Sequence, residues 1–270
     1  MITTALLRHP CIRIGEGPNS YLLRLAEANQ VKIKDLNSIG IAFSTAALDE
    51  LLRNAPEYTD ELHAYIGRIQ DVRDKWPTIW NTGACKYCPT CVAGSDWHVG
   101  WEILFFDACP IHKCWLVDKC DSCGEYLTWN RLRLQQCDCG HQLGKSPSHE
   151  APDTVVRLAQ EIRRSLLNVR ADTDHAPFAD LNVEQMVRLI RFMGAYGQTS
   201  PERLPQKIRD AGSMDVSWQF TSIAAEILFK WPQNFERALH ALLAQSVQSS
   251  GQRLPARFGF YYSGASLNPL

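Results

Sequence analysis

The sequence lacks any apolar run long enough to cross a bilayer. Its longest runs, IAFSTAAL and WEILFF, fall far short of the roughly 20 residues that a spanning helix needs. The N-terminus, MITTALLRHPCIRIGEG, meets an arginine and a histidine before an apolar stretch of useful length forms, so neither signal peptide nor membrane anchor is expected. An excess of one charge is missing as well: 28 Lys and Arg face 29 Asp and Glu, for a net charge of -1. That excludes the strongly basic footprint of a protein that grips nucleic acid by itself, since such affinity comes mainly from neutralised phosphates. The balance favours a protein that works inside a complex. There is no low-complexity tract, no Gly-rich phosphate loop, no Gly-x-Ser-x-Gly and no His-Glu-x-x-His. No set of carboxylates suited to holding two catalytic metals stands out. The chain is therefore not expected to be an enzyme.

What is present points elsewhere. The 270 residues are 45% hydrophobic, enough for one large domain or two to three small ones with real cores. Ten cysteines without a secretory signal argue against a disulfide scaffold and for metal ligands. Nine of the ten lie between Cys85 and Cys139, and only Cys11 is remote.

Composition divides the chain into three regions. Residues 1–80 read as helical. NSYLLRLAEANQ has an N-cap candidate in Asn19 or Ser20, followed by Leu22, Leu25, Ala26 and Asn29 at helical spacing. VKIKDLNSIG follows as a second short helix ending at Gly40, which gives a helix-turn-helix-like outline that a plain helical bundle would share. Residues 81–145 hold the cysteine cluster. Trp76, Trp80, Trp97, Trp101, Trp115 and Trp129 in or beside it are expected to supply the buried area that a small metal domain lacks. Residues 146–270 are helical again. Val155, Leu158, Ile162, Leu166 and Val169 form one stripe; a further helix runs from the cap Asn182 to near Gly194; and a third divides at Trp231-Pro232. The tail FGFYYSGASLNPL is expected to be irregular. The fold class is thus mainly α, with a small zinc-ribbon or zinc-knuckle β portion.

Two ligand sets follow from spacing. Cys88-Pro-Thr-Cys91 and Cys109-Pro-Ile-His112 are both Cys-Pro-x-ligand, and two intervening residues let a tight turn aim both side chains at one ion. Cys120-x-x-Cys123-Gly and Cys137-x-Cys139-Gly form a second set, whose halves CGEYL and CGHQL echo one another. The glycine after each second thiolate permits the positive φ that such a knuckle uses. Two structural Zn2+ ions are therefore expected, held by Cys88, Cys91, Cys109 and His112 and by Cys120, Cys123, Cys137 and Cys139. Cys85–Cys88 is also a Cys-x-x-Cys and stays open as a competing register for the first set. Cys114 reads as a small buried side chain. His98 and His141 read as ordinary polar residues that are worth watching. Four protein ligands leave no open coordination position, so structural rather than catalytic zinc is expected.

At this point the residues resemble a family. The order CPTC, a Trp-rich stretch, CPIH, CDSCG and CDCG is similar to that of the TniQ (TnsD-like) family of transposition target-selection proteins, with Val92 where the family has Leu. Glu16, Ser20, Leu23, Arg24, Leu25, Ala26 and Asn29 match the family's opening segment, with Gly17 in place of Ser, and WPQNF from Trp231 is similar to a third segment. The resemblance, on these three segments, spans nearly the whole chain. It implies a non-enzymatic adaptor of a Tn7-like heteromeric DNA transposition system. Such an adaptor links a target, either a DNA site or a guide-RNA effector complex, to an AAA+ ATPase that loads a transposase. It also implies a bacterial cytoplasmic, nucleoid-associated location and no membrane partner. A stand-alone zinc-containing transcription regulator is the alternative. For that role Lys32 and Lys34 are a thin basic signal, and the richer one is Arg157, Arg163, Arg164 and Arg170.

Overall fold

A computed structural model describes residues 6–52, 55–169, 180–197 and 212–249. Among the described residues there are nine α-helices and one two-stranded sheet, so the chain is mainly helical.

Helix α1 (Pro18–Ala28) begins two to three residues earlier than expected. Gly17 is the N-cap and Pro18 holds the first helical position, where its missing N–H has no partner to lose. Asn19 and Ser20 do not cap. Their backbone N–H groups instead donate at 3.0 Å to the carboxylate of Glu102, which comes from the middle region. A Cβ on Gly17 would lie 2.1 Å from Glu102 Oε1, so glycine is the residue that leaves room for this carboxylate. Leu22, Leu25 and Ala26 are buried as expected. Asn29 is not on the helical stripe but past its end. Its side-chain oxygen accepts from the N–H groups of Leu7 and Arg8, and its amide donates to Arg8 O and Leu25 O.

Helix α2 (Ile33–Ser38) follows a short turn and packs on α1. It stops where the sequence suggested, before Gly40 with φ +80°. Six residues make a helix only about 9 Å long. Helices α3 (Thr45–Leu52) and α4 (Asp60–Lys75) pack together and complete the N-terminal region. Thr59 caps α4 through the N–H of Leu62.

The middle region has little regular structure. It contains the short helix α5 (Pro89–Ala93) and the strands β1 (Ala108–Cys109) and β2 (Cys114–Trp115), paired antiparallel with Cys109 opposite Cys114. Aromatic rings fill it, as expected. Trp97 meets Trp101 and Trp129 edge-on at 5.5 and 6.1 Å and stacks with Tyr87 at 6.5 Å. Trp80, Trp97, Trp101 and Trp129 are buried, whereas Trp76 and Trp115 are partly exposed.

Helix α6 (Asp153–Leu167) buries Val155, Leu158, Ile162 and Leu166, but not Val169. Asn168 turns left-handed at φ 52° and ends the helix, leaving Val169 exposed beyond it. Helix α7 (Val183–Tyr196) starts after its cap Asn182 and ends near Gly194, both as expected. Gly194 itself does not terminate it. A Cβ there would lie 2.6 Å from Phe220 Cα, so this glycine lets α7 lie directly against α8 (Met214–Leu228). Helix α9 (Gln233–Ser249) starts right after Pro232, at the expected division. The tail from residue 258 and Arg170 lie outside the described residues.

One apolar cluster runs through all three regions of the sequence. Polar anchors reinforce it. Lys86 and Asp107, both fully buried, form an ion pair at 3.0 Å. Lys86 Nζ also donates to Ile103 O and Phe106 O, while Asp107 Oδ2 accepts from the Thr221 hydroxyl of α8 at 2.5 Å.

Candidate metal centres

The first cluster is assembled by α5 and the β1–β2 turn. Cys88 precedes Pro89, which starts α5, and Cys91 lies one turn on, so both sulfurs face one point. Cys109 ends β1, and His112 sits in the turn before β2. The four ligand atoms all lie within 4.8 Å of one another. Cys91 and Cys109 sulfurs are 3.6 Å apart, and His112 Nδ1 lies 3.5, 3.1 and 3.7 Å from the sulfurs of Cys88, Cys91 and Cys109. Four donors at about 2.3 Å from a central zinc are separated by about 3.8 Å along the edges of a tetrahedron. The observed separations are close to that.

The second cluster consists of Cys120, Cys123, Cys137 and Cys139, again with all four sulfurs within 4.8 Å. Cys120 and Cys139 are 3.6 Å apart, and Cys123 and Cys137 are 3.8 Å apart. The echo between CGEYL and CGHQL has a structural basis. Each knuckle is closed by an isolated β-bridge, Lys119 with Tyr126 and Gln136 with Gln142. Gly124 and Gly140 take φ +74° and +95°, the left-handed backbone expected of them. Leu127 and Leu143, at the matching position in each half, are both buried. The shorter Cys137-x-Cys139 half is drawn tight by Cys137 N donating to His141 O at 2.9 Å and by Gln136 Nε2 donating to Gly140 O at 2.6 Å.

Electrostatics favour a cation in each cluster. In the first, Cys91 is pushed up to about 12, chiefly by its hydrogen bond with Cys109, and Cys109 is driven far below the ordinary thiol range by hydrogen bonds from Cys114, Cys88 and Cys91. In the second, the backbone N–H of His141 is first among the groups that hold Cys139 down to about 7, whereas burial pushes Cys137 up to about 12. Touching sulfurs ionise one at a time because each thiolate disfavours the next. A divalent ion between them reverses this and makes thiolates of them all. The donor sets, three sulfurs with one imidazole nitrogen and four sulfurs, suit zinc.

Other candidates lie elsewhere. Cys85 is buried beneath Arg131, whose Nη1 donates to its sulfur at 3.2 Å, and it does not face the first cluster. His98 packs edge-on against Trp101 at 5.1 Å, and burial lowers its pKa. His141 Nε2 lies 3.3 Å from Ser146 Oγ. Neither histidine joins a cluster.

Two features escape sequence reading. Cys114, taken for a plain buried side chain, has its sulfur 3.5 Å from that of Cys88. The signal for it lay in the spacing: Cys109 and Cys114 flank a four-residue turn, and a hairpin closed there sets them opposite one another. Arg131 is buried beside the aromatic cluster. Its guanidinium lies 5.3 Å from the Trp97 ring and donates to Thr128 O and Leu134 O. Nothing in its local sequence marks it.

Two arginines of the basic stretch on α6 are in contact with neighbours in the fold. Arg157 lies over the Phe229 ring at 4.3 Å, and Arg164 pairs with Glu161 at 2.6 Å. Among the described residues no helix is long and apolar enough to cross a membrane.

Comparison with known families adds one result. The TniQ family model matches residues 7–116, from the segment pinned by Asn29 through the first cluster to just past β2. The match is shorter than the resemblance suggested: the second cluster and the WPQNF segment lie outside it. No curated protein matches the chain.

Proposed function

We propose, from the match of the TniQ family model to residues 7–116, that the chain is a target-selection adaptor in a Tn7-like transposition system. A TniQ domain implies such a role in transposition. In the finer reading, the chain joins a target, a DNA site or a guide-RNA effector complex, to an AAA+ ATPase and through it to the transposase. Its own part is binding, not catalysis. It acts in the bacterial cytoplasm, associated with the nucleoid.

The observation that carries this reading is the family match over an N-terminal helical unit and the first metal cluster, which Glu102 and the aromatic cluster join into one body. We assign the eight clustered side chains as ligands of two structural zinc ions. Zinc then supplies cross-links in a region whose strands are two residues long. The division of labour we propose follows the three regions: a helical unit over 1–80, a double zinc unit over 81–145 and a helical unit over 146–270.

The alternative regulator role draws less support. Helix α2 is six residues long and offers Lys34 beside Asp35, and on α6 Arg157 lies over Phe229 while Arg164 pairs with Glu161. Affinity capture of the tagged chain from its native cell tests the proposal. An AAA+ ATPase with transposase or a guide-RNA complex in the captured material is the expected result. A chain recovered alone on one promoter-like DNA would establish the regulator instead.

A further inference from the structure

We propose that the open cleft between residues 80–84, Thr128 and the facing parts of α7 and α8 is a docking site for an acidic peptide segment of a partner protein, with Arg191 receiving its carboxylate. Such binding is a property of the chain by itself and does not depend on the transposition reading.

The cleft has a volume of about 910 Å³, ample for a few peptide side chains. Parts of the chain that are distant in sequence form it. Residues 80–84 give one wall, Tyr126, Leu127 and Thr128 another, and Arg191 of α7 with the start of α8 a third. Hydrogen bonds between the walls hold them in place. Asn81 Nδ2 donates to Gly212 O at 2.7 Å, and Cys85 N donates to Leu127 O at 3.1 Å.

Two charged side chains are among the lining residues. Asp215 is committed. Its carboxylate accepts from Lys119 Nζ at 2.6 Å and from the Tyr126 hydroxyl, and these bonds hold its pKa below the ordinary value. Arg191 is not committed. Its buried Nε has no hydrogen-bond partner among the described residues, and its guanidinium lies 5.9 Å from the Phe105 ring. Burial, and then the neighbouring Arg188, disfavour its charge. A guanidinium nevertheless stays charged in proteins, and a buried donor without an acceptor is costly. A carboxylate removes that cost, because the two groups match through parallel, charge-assisted hydrogen bonds. Trp80, buried in the first wall, has a second unpartnered donor in Nε1.

The same lining decides between anions. Nucleic acid is held by several cations along its phosphates. This cleft offers one, and the Asp215 carboxylate in its lining repels a run of phosphates. Leu104, Leu127 and Val216 add apolar surface for an aliphatic side chain beside the carboxylate. Tyr126, 48% exposed, is an aromatic anchor of the kind that protein interfaces concentrate. One acidic residue flanked by apolar ones fits this combination.

The test uses the full chain with the capped peptides Leu-Glu-Leu and Leu-Gln-Leu and with single-stranded oligothymidylate. Saturation-transfer NMR reads peptide contact. The Arg191 Nε–H resonance, identified by its loss in Arg191→Gln, reads the site. Leu-Glu-Leu should bind and shift that resonance, and Leu-Gln-Leu should bind about tenfold more weakly, the scale of a hydrogen bond to a charged group. Arg191→Gln should weaken Leu-Glu-Leu to the same extent. Gly83 lines the cleft and a Cβ there meets nothing, so Gly83→Leu fills the space without a clash and should abolish binding. That variant decides if Arg191→Gln does not fold. Absence of Leu-Glu-Leu binding at millimolar concentration, equal affinity for the two peptides, or binding that survives Gly83→Leu overturns the proposal. Displacement of the peptide by oligothymidylate would assign the cleft to phosphate and overturn it as well.

Discussion

Glu102 caps a helix to which it does not belong: its carboxylate accepts from the N–H groups of Asn19 and Ser20 at the start of α1. The N-terminal helices are thereby tied to the region that holds the two cysteine clusters by a buried carboxyl group rather than by apolar contact alone. Carboxylates are favoured at helix N-termini, where unpaired N–H groups and the helix dipole meet. Burial opposes this, and here it wins, pushing the carboxyl up to about 7 from an ordinary 4.5.

The consequence is a pH dependence of known sign. Below about pH 4.5 both the folded and the unfolded chain hold this proton. Between there and pH 7 only the folded chain does, so stability from this group falls as pH rises through that window. The whole effect is at most about 3 kcal/mol. Glu102→Gln removes the titration. Chemical denaturation of both proteins from pH 5 to 7.5 should show the wild type losing stability relative to the variant. Acid loss of zinc is common to both and cancels; parallel curves would mean that Glu102 does not titrate there.

The Lys86–Asp107 pair should behave as buried pairs do. Lys86→Met alone or Asp107→Leu alone strands a charge and should cost about 3–5 kcal/mol. The double variant should cost less than either single one. Thr221 would still donate to Ser217 O at 3.0 Å and so keep a partner. Urea unfolding of the three variants measures this, and additive losses would contradict it.

Gly194 should not tolerate alanine, although alanine is the better helix former by about 1 kcal/mol. A Cβ 2.6 Å from Phe220 Cα must push α7 from α8, an overpacking cost of about 1–3 kcal/mol. A thermal shift to lower temperature is expected. A rise would show that helix propensity outweighs the close approach.

Zinc should act on folding, not on a rate. Cys120→Ala should lower the metal content from two ions to one and reduce soluble yield, and chelation of the wild type should unfold the middle region. Native mass spectrometry with circular dichroism reads both. A folded Cys120→Ala chain that still holds two ions would place the ligand elsewhere.

DNA binding by the isolated chain should be weak and should fall steeply with salt, because the chain carries a net charge of -1 and Arg164 of α6 is paired with Glu161. Filter binding across a salt series checks this, and tight sequence-specific binding at physiological salt would favour the regulator.

Much of the site was legible because ligand chemistry is local. Cys-Pro-x-Cys, Cys-Pro-x-His and the two Cys-Gly halves each encode a turn, and turns are set by neighbours in sequence. Helix existence was legible for the same reason, since Leu158, Ile162 and Leu166 recur at the helical period. What failed was tertiary. Asn19 and Ser20 looked like caps, but Glu102 arrives from 82 residues away to take over that role. The helix ends near Gly194 as expected, but the close approach of that glycine to Phe220 of a different helix was not legible. Asn29 resembled one more stripe residue, yet it holds Leu7 and Arg8 through its side chain. Each error came from giving a local meaning to a residue whose partner is remote.

The second cluster also acts at a distance. Next to it, Asp118 Oδ2 accepts from Met214 N at 2.8 Å and from Ser213 Oγ at 3.1 Å, and Lys119 pairs with Asp215 at 2.6 Å, so the start of α8 is fastened to the segment that leads into Cys120. In mechanical terms a metal bound there would be a rivet through two plates. A partner that gripped the C-terminal helices would then be coupled to the knuckle through this joint as well as through the core.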